Sequence, residues 1–238
     1  MTRFRWIFRS LLPAALCCAA TLAHAAGFAF IEVPADKDGP ALRGAVWSPC
    51  STPPGRIDLA PLVLQGTRDC PVAGQGLPLV VVSHGAGGSA LGHHDTAATL
   101  ADAGYVVAAI SHPGDNFQDL SRQGYLSAFA TRPVDMKRLT DYMLGAWPQR
   151  AQLDAGKVGF FGFSRGGYTG LVAIGAVPDW TSRQDLCSPL STRPLCGEIR
   201  RKEIPATPAP DPRKAAARLR EACFAIDETN QNGDESSP

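Results

Sequence analysis

Short, unbroken apolar runs recur along the middle of the chain. Three of them, 77–83, 105–110 and 158–163, are too short to be helices and are bounded by glycine or polar residues. Continuous apolar runs of this length are typical of strands that are buried on both faces of a parallel sheet. The pattern therefore predicts three central strands.

Longer stretches with helical character separate these runs. Residues 95–103 predict a helix with Asp95 as N-cap and Gly104 as its stop. Residues 132–144 predict a second helix, with Pro133 near its first position and Gly145 past its end. The strand–helix alternation favours an α/β fold, with a mostly parallel sheet covered by helices on both faces.

The N-terminal part predicts two further strands. Residues 28–33 and 41–47 have strand composition, and the turn-rich segment 35–40 separates them. We expect them to be antiparallel edge strands of the same sheet. Residues 48–76 are rich in proline and glycine and predict mostly loop.

The segment 157–167, KVGFFGFSRGG, ends the third central strand on Gly-x-Ser-x-Gly and continues into the helix-compatible stretch 168–176. Strand, Gly-x-Ser-x-Gly and helix together predict a nucleophile elbow, in which Gly162 and Gly166 provide room and Ser164 is presented at a helix N-terminus. The alternative is a chance pentapeptide in which Ser164 only caps a helix.

A glycine-rich loop follows the first central strand. Its sequence, His-Gly-Ala-Gly-Gly at 84–88, lets backbone N–H groups approach a ligand, as an oxyanion hole requires. Gly85, Gly87 and Ala90 also fit a loose dinucleotide-binding loop, but the next strand ends at Ser111-His112 without a carboxylate for a ribose. The oxyanion hole accounts for both motifs and is favoured.

The motifs LVVVSHGAGG, SHPGDN and GFFGFSRGGYTG, in this order over 28–176, resemble the α/β-hydrolase superfamily. Within it the chain is similar to exported esterases of the dienelactone-hydrolase-like and platelet-activating-factor-acetylhydrolase-like type. The resemblance implies Ser164 as nucleophile, and backbone N–H groups of Arg165 and of Gly85-Ala86 as the oxyanion hole. It also implies small or lipid-like ester substrates and neither metal nor organic cofactor. The chain departs from many relatives at Phe163, where they carry histidine.

A serine nucleophile needs a general base, and in this superfamily the acid and the histidine follow the serine. All five histidines precede Ser164: His24, His84, His93, His94 and His112. The sequence therefore predicts a missing triad base and impaired catalysis.

Three upstream residues are placed at the pocket rim by their positions after strands. His84 is expected to shape the oxyanion loop. For His112, contact with the site is one possibility and service as the base a weaker one. Asp115 lines the pocket or serves a turn at 113–116. The pair His93-His94 predicts a solvated loop end rather than a metal site.

From residue 177 onward prolines are frequent, and we expect a lid-like insertion at about 177–204. Residues 214–221 have a helical pattern and 227–238 are polar and acidic. We interpret 26–213 as an incomplete α/β-hydrolase domain, with its C-terminal strands missing or degenerate. The hypothesis is that the superfamily's sequence is lost near Lys214, through truncation or a shifted reading frame.

The N-terminus predicts export. Arg3, Arg5 and Arg9 precede the apolar run 11–23, and Ala23-His24-Ala25 has the small-x-small pattern of a signal-peptidase site. The run contains Pro13 and is shorter than the roughly 20 residues of a membrane span, so a stable membrane anchor is the weaker interpretation. We expect cleavage after Ala25 and release to the periplasm or the exterior.

Export changes how the cysteines are interpreted, because disulfides persist in oxidising compartments. Sequence proximity pairs Cys50 with Cys70 and Cys187 with Cys196, leaving Cys223 over, although other connectivities stay open. No Cys-x-x-Cys or His/Cys cluster has metal-ligand spacing, so metal binding is disfavoured.

Composition limits the possible partners. The 238 residues suffice for one α/β domain, and a net charge of +1 gives no basic face for nucleic acid. The sequence thus favours a carboxylic ester hydrolase acting on a small-molecule or lipid ester. A non-catalytic, ligand-binding relative is the alternative, and a cofactor-binding oxidoreductase is a third.

Overall fold

The computed structural model describes residues 25–180, 187 and 191–203. These contain seven strands and four α-helices: β1 Ala25–Val33, β2 Leu42–Cys50, β3 Gly55–Leu59, β4 Leu62–Arg68, β5 Leu77–Ser83, α1 His94–Asp102, β6 Val106–Ile110, α2 Leu126–Gly145, β7 Leu153–Gly162, α3 Arg165–Ala173 and α4 Pro194–Arg200.

The strands form one mixed sheet in the order β3-β4-β1-β2-β6-β5-β7. β5 pairs in parallel with both β6 and β7, whereas β2 pairs antiparallel with β1 and with β6. Helix α1 packs on one face, where Ala97 and Ala101 join the apolar cluster over β5 and β6. Helix α2 packs on the other face through Met136, Leu139 and Met143. The predicted α/β-hydrolase class, with helices on both faces, is confirmed.

The three central strands lie where the apolar runs predict them, with β7 extended toward its N-terminus by five residues from the predicted Val158 to Leu153. β5 is nearly continuous in burial and β6 is buried at every position, whereas β7 is buried only at Val158 and Gly159. Such strands need apolar contacts on both faces, which is why unbroken apolar runs identify them.

Two predictions about the N-terminal part are wrong. The segment 48–76 is not mostly loop, because it contains the hairpin of β3 and β4, in which Ile57 and Leu64 are buried between exposed neighbours. β1 and β2 are not edge strands, because β4 pairs in parallel with β1 and places the hairpin at the edge. The strands are short and half polar, so their composition resembles a loop.

The helix boundaries also differ from the prediction. α2 begins at Leu126 rather than Arg132, and Pro133 lies inside it. Proline lacks the N–H that would bond the carbonyl four residues earlier, which is why it normally marks a helix start. Burial of Leu126 and Ala128 stabilises the six additional N-terminal residues, 126–131. Asp95 is not the N-cap of α1 but lies in its first turn.

Both predicted disulfides are present. Cys50–Cys70 ties the end of β2 to the segment after β4, and Cys187–Cys196 joins residue 187 to α4. Cys223 and the predicted tail 214–238 lie outside the described residues, as do residues 1–24 of the predicted signal peptide 1–25. No helix among the residues that the structure describes is long and apolar enough to cross a bilayer.

Candidate active site

The carboxyl ends of β6, β5 and β7 lie side by side, because the three strands are parallel neighbours. This sheet edge therefore collects three segments: 111–116 after β6, the glycine loop 84–88 after β5, and the elbow 163–166 after β7. In open α/β sheets, ligands bind at this edge.

Ser164 has φ 52° and ψ −114°, a conformation that non-glycine residues rarely adopt. It stands at the N-cap position of α3, yet its side chain makes no capping hydrogen bond, and the residue is exposed. The alternative that Ser164 only caps the helix is therefore wrong. Strain of this kind clusters at functional sites, so the exposed hydroxyl is a strong candidate nucleophile.

The elbow depends on two close backbone approaches. An ideal Cβ at Gly162 would overlap the carbonyl oxygen of Gly166, and one at Gly166 would overlap the carbonyl oxygen of Ser83. Only glycine fits at either position without a backbone shift. The two glycines of Gly-x-Ser-x-Gly thus let α3 turn back sharply against β5 and β7.

Unpaired backbone N–H groups lie in both segments that meet at Ser164. The backbone N–H groups of the three predicted donors, Gly85, Ala86 and Arg165, have no acceptor among the described residues. A Cβ built on Gly85 would lie 3.5 Å from the Ser164 Cβ, so the glycine loop is in contact with the elbow. Unpaired amides in the elbow and in the loop that contacts it are what an oxyanion hole requires.

His84 is buried, and both of its ring nitrogens are used. Nδ1 lies 2.6 Å from the carbonyl oxygen of Gly85, and Nε2 accepts a hydrogen bond from the backbone N–H of His112 at 3.1 Å. Burial, together with a smaller effect of the neighbouring His112, lowers the pKa of His84 to about 3. His84 is therefore a neutral side chain that fixes the glycine loop.

His112 is also fully buried. Its Nε2 lies 2.9 Å from the Ser83 Oγ and its Nδ1 lies 3.0 Å from the Asp135 Oδ2. Burial lowers the pKa of His112 well below its ordinary value, and burial raises the pKa of Asp135 to about 7. The hydrogen bonds from Ser83 through His112 to Asp135 have the arrangement of a catalytic triad. However, Ser83 is completely buried and cannot contact a substrate.

Asp115 joins three parts of the site. Its Oδ1 accepts the N–H of Gly87 at 3.1 Å, and its Oδ2 accepts from Arg132 at 2.7 Å and from Arg165 at 2.6 Å. Arg132 is almost completely buried and also donates to the backbone carbonyl of His84. Burial lowers the pKa of Arg132 to about 10, so it stays charged at neutral pH.

The predicted rim position of His84, His112 and Asp115 is wrong, because all three are buried beneath the site. Each follows a strand end as predicted, but each side chain turns inward to a polar partner. No ring nitrogen of a histidine among the described residues bonds to the Ser164 hydroxyl.

The pair His93-His94 lies at the start of α1. The ring of His93 packs against Phe161 and Phe163, with centroids 5.3 and 5.5 Å apart. The ring of His94 faces Asp95, with Nδ1 3.2 Å from Oδ1. Within the described part of the chain, no group of three or more His, Cys, Asp or Glu side chains could hold a metal ion.

Apolar side chains border the site on two sides. Phe117, Leu120 and Phe163 are more than half exposed, and the first two belong to the segment that bonds to the glycine loop through the Phe117 N–H and the Gly88 carbonyl. On the other side, Phe129, Tyr168 and Trp180 form an aromatic cluster, and the Arg165 guanidinium lies 4.5 Å from the Phe129 ring centre.

Sequence reasoning missed Ser83, Arg132 and Asp135. The available signal is helical spacing: Arg132 and Asp135 share the buried face of α2 with Met136 and Leu139. Charged residues in register with an apolar stripe need buried partners of opposite charge or polar character. That register could have indicated a polar network under the site.

The comparisons with known proteins agree with this geometry. A family model described as serine aminopeptidase, S33, matches residues 75–216, which is more than half of the chain. The chain belongs to the serine aminopeptidase S33 family. It is therefore a serine-hydrolase-like protein of the α/β-hydrolase clan. A search of curated protein sequences finds no match.

Solved structures similar to this S33 family member include a ferulic acid esterase from Streptomyces cinnamoneus, at 20% identity and a TM-score of 0.52, covering 66% of this chain and 56% of the esterase. Another is DcsB in complex with its substrate analogue, at 16% identity and a TM-score of 0.41, covering 61% of this chain and 40% of DcsB. A third is an acylaminoacyl peptidase from Pyrococcus horikoshii, at 16% identity and a TM-score of 0.42, covering 63% of this chain and 20% of the peptidase.

The first of these structures supports the α/β-hydrolase fold. The S33 family member described here spans less than two thirds of the length of each of the three.

Proposed function

We propose that the chain is a carboxylic ester hydrolase that acts through an acyl-enzyme on Ser164. The observation that carries the proposal is that Ser164 is exposed, has a strained backbone conformation, and lies in a segment that meets the loop of Ala86. The amides of Ala86 and Arg165 are unpaired among the described residues. This pairing of nucleophile and oxyanion donors serves acyl transfer.

In the proposed reaction the Ser164 Oγ attacks the ester carbonyl carbon, and the hydroxyl proton passes to solvent. The carbonyl oxygen becomes an oxyanion that accepts hydrogen bonds from the Ala86 and Arg165 amides. The bond to the alkoxy group then breaks, and the alcohol leaves with a proton from water. Water next attacks the acyl-enzyme and releases the carboxylic acid and the free Ser164 hydroxyl.

We infer that turnover is low. His84 and His112 have both ring nitrogens hydrogen-bonded elsewhere, so neither is positioned to take the proton from Ser164. The oxyanion hole and substrate binding remain. In serine hydrolases, removal of a triad member leaves about 10³- to 10⁴-fold acceleration over water.

The substrates we propose are small or lipid-like esters, of the dienelactone-hydrolase or platelet-activating-factor-acetylhydrolase type. The exposed Phe117, Leu120 and Phe163 beside the site favour an apolar acyl or alkoxy group. The similar structure of an enzyme named as a ferulic acid esterase fits an ester substrate. We further propose that the protein is exported, in keeping with its two disulfides.

The experiment compares hydrolysis of p-nitrophenyl acetate by the wild type and by Ser164→Ala. We expect slow hydrolysis by the wild type and only the background rate with the variant. Ser89→Ala, which alters a serine of the adjoining loop, is the control and should match the wild type. Equal rates for wild type and Ser164→Ala would contradict the proposal, and ordinary esterase rates would contradict the inferred impairment.

A second candidate is a non-catalytic relative that binds ester-like ligands without turning them over. The lack of a histidine bonded to Ser164 among the described residues favours it. A saturable ligand-binding signal without any reaction of Ser164 would support this candidate.

A further inference from the structure

Asp115 is buried at the point where the glycine loop, the elbow and α2 meet. Its carboxylate accepts hydrogen bonds from three donors: the Gly87 N–H, Arg132 and Arg165. Turn-forming residues ordinarily use their carboxylate within their own loop, as Asp119 does with the N–H groups of Gly114 and Ser121. All three donors to Asp115 lie outside its own loop.

The two oxygens of Asp115 hold different parts of the site. Oδ1 fixes Gly87, one residue after Ala86, whose N–H is the loop's proposed oxyanion donor. Oδ2 fixes the side chain of Arg165, whose backbone N–H is the elbow's proposed donor. One carboxylate thus bonds to both segments that carry the proposed donors.

Two further contacts keep this arrangement rigid. The Arg132 guanidinium bonds Asp115 and also donates to the His84 carbonyl at the start of the glycine loop. The Arg165 guanidinium is held between Asp115 and the face of the Phe129 ring. Because the Asp115 and Arg132 side chains are both about 1% exposed, water screens their ion pair very little.

We infer that Asp115 is the positioning residue of the oxyanion hole, a role that rests on the proposed function of Ser164. It touches neither the nucleophile nor the expected position of the substrate, and it acts through Gly87 and Arg165. An oxyanion hole works only when its donors are aligned with the developing charge, and a displacement of about 1 Å can cost about 100-fold in rate.

The kinetic test compares Asp115→Asn with the wild type on p-nitrophenyl acetate. Asparagine keeps the volume but turns an amide group toward two guanidinium groups. We expect kcat to fall by roughly 10- to 100-fold while KM changes less than about threefold, because oxyanion contacts form mainly in the transition state. Asp119→Asn, in the same loop, is the control and should keep the wild-type kcat.

Arg165 provides a second pair of variants in case Asp115→Asn does not fold. Arg165→Met removes the contact with Asp115, and Arg165→Lys keeps the charge. We expect Arg165→Lys to retain more of kcat than Arg165→Met. A purely structural role would lower the folded fraction in thermal melts and leave kcat per folded molecule unchanged.

Amide hydrogen exchange separates this inference from the proposed function, because it needs no turnover. Asp115→Asn and Arg165→Met should speed exchange in peptides covering 84–88 and 163–168, while Asp119→Asn should not. If the wild type neither hydrolyses esters nor reacts at Ser164, the proposed function fails, and the exchange data still decide the role of Asp115. Wild-type exchange and wild-type kcat in both Asp115→Asn and Arg165→Met would overturn the inference.

Discussion

At the scale of single residues, the geometry of the elbow depends on Gly166 having no side chain. Gly166 lies against the carbonyl of Ser83 so closely that no Cβ fits, and this contact brings α3 up to the end of β5. The same contact holds Ser164 at a positive φ with its hydroxyl in solvent. Close packing at Gly166 thus maintains the backbone strain at Ser164.

Gly166→Ala should therefore disturb the elbow. The added methyl must displace backbone, so we expect a loss of at least about 1 to 3 kcal/mol in the free energy of unfolding, together with loss of the proposed esterase activity. Urea unfolding and p-nitrophenyl acetate hydrolysis measure both effects.

The matched control is Gly145→Ala at the end of α2, where a Cβ would meet nothing within 4 Å. It should be neutral or slightly stabilising. Wild-type stability and activity in Gly166→Ala would contradict the packing described for the elbow.

At the scale of elements, α4 is held against the start of α2 by a few specific contacts. The Glu198 carboxylate accepts the Leu126 N–H at 2.7 Å, and the Leu195 N–H donates to the Gly124 carbonyl at 2.9 Å. The first N–H groups of a helix have no partner within the helix, so a carboxylate there satisfies one of them. Ile199 adds apolar contact with the aromatic cluster.

Glu198→Ala should loosen α4 without unfolding the sheet. The unsatisfied Leu126 N–H costs about 1 to 3 kcal/mol, and we expect this as lost protection of 194–200 in hydrogen exchange. Glu203→Ala, which removes a surface carboxylate that pairs with Arg201, should leave exchange in α4 unchanged. Equal effects of the two substitutions would show that Glu198 does not anchor α4.

The elements around the site could be predicted from sequence because they have strong patterns. β5 matches its apolar run at both ends, and the elbow follows from Gly-x-Ser-x-Gly between an apolar strand and a helix. The hairpin of β3 and β4 could not, because its strands are short and few of their residues are buried, so their composition resembles a loop. The start of α2 was missed because tertiary burial of Leu126 outweighs the local preference of Pro133.

The polar network under the site could not be predicted for a different reason. Asp115 and His112 were recognised as strand-end residues, but sequence does not tell whether such side chains face solvent or the core. The structure places them beneath the loop because Arg132 and Asp135, from a helix 17 to 23 residues later, lie there to bind them. Pairing of this kind depends on how α2 packs over the sheet.

At the scale of the whole molecule, buried titratable groups make stability depend on pH. Burial lowers the pKa of His84 to about 3 and lowers that of His112, so both stay neutral in the folded state. The unfolded chain protonates each near pH 6.5, and stability from these groups is lost as the pH falls below that value. Asp135, with its pKa raised to about 7, acts in the opposite direction, since its protonated form favours the folded state.

Two histidines outweigh one carboxyl, so net stability should fall between pH 7 and pH 5. Between pH 7 and pH 5, each such histidine lowers the free energy of unfolding by about 2 kcal/mol. Asp135 raises it by about the same amount and so offsets the effect of one of the two histidines. We therefore expect the free energy of unfolding to be about 2 kcal/mol lower at pH 5, as measured by urea titration. Equal or greater stability at pH 5 would contradict the burial of neutral His84 and His112.

The central claim is that Ser164 is a nucleophile served by the Ala86 and Arg165 amides, and covalent labelling tests it most directly. The protein is treated with a fluorophosphonate, whose polar phosphoryl oxygen is the group that an oxyanion hole accepts, and the adduct is located by peptide mass spectrometry. We predict a single adduct on the peptide containing Ser164, absent from Ser164→Ala and retained in Ser89→Ala. No adduct on the folded wild type, or an adduct at another serine, would contradict the account.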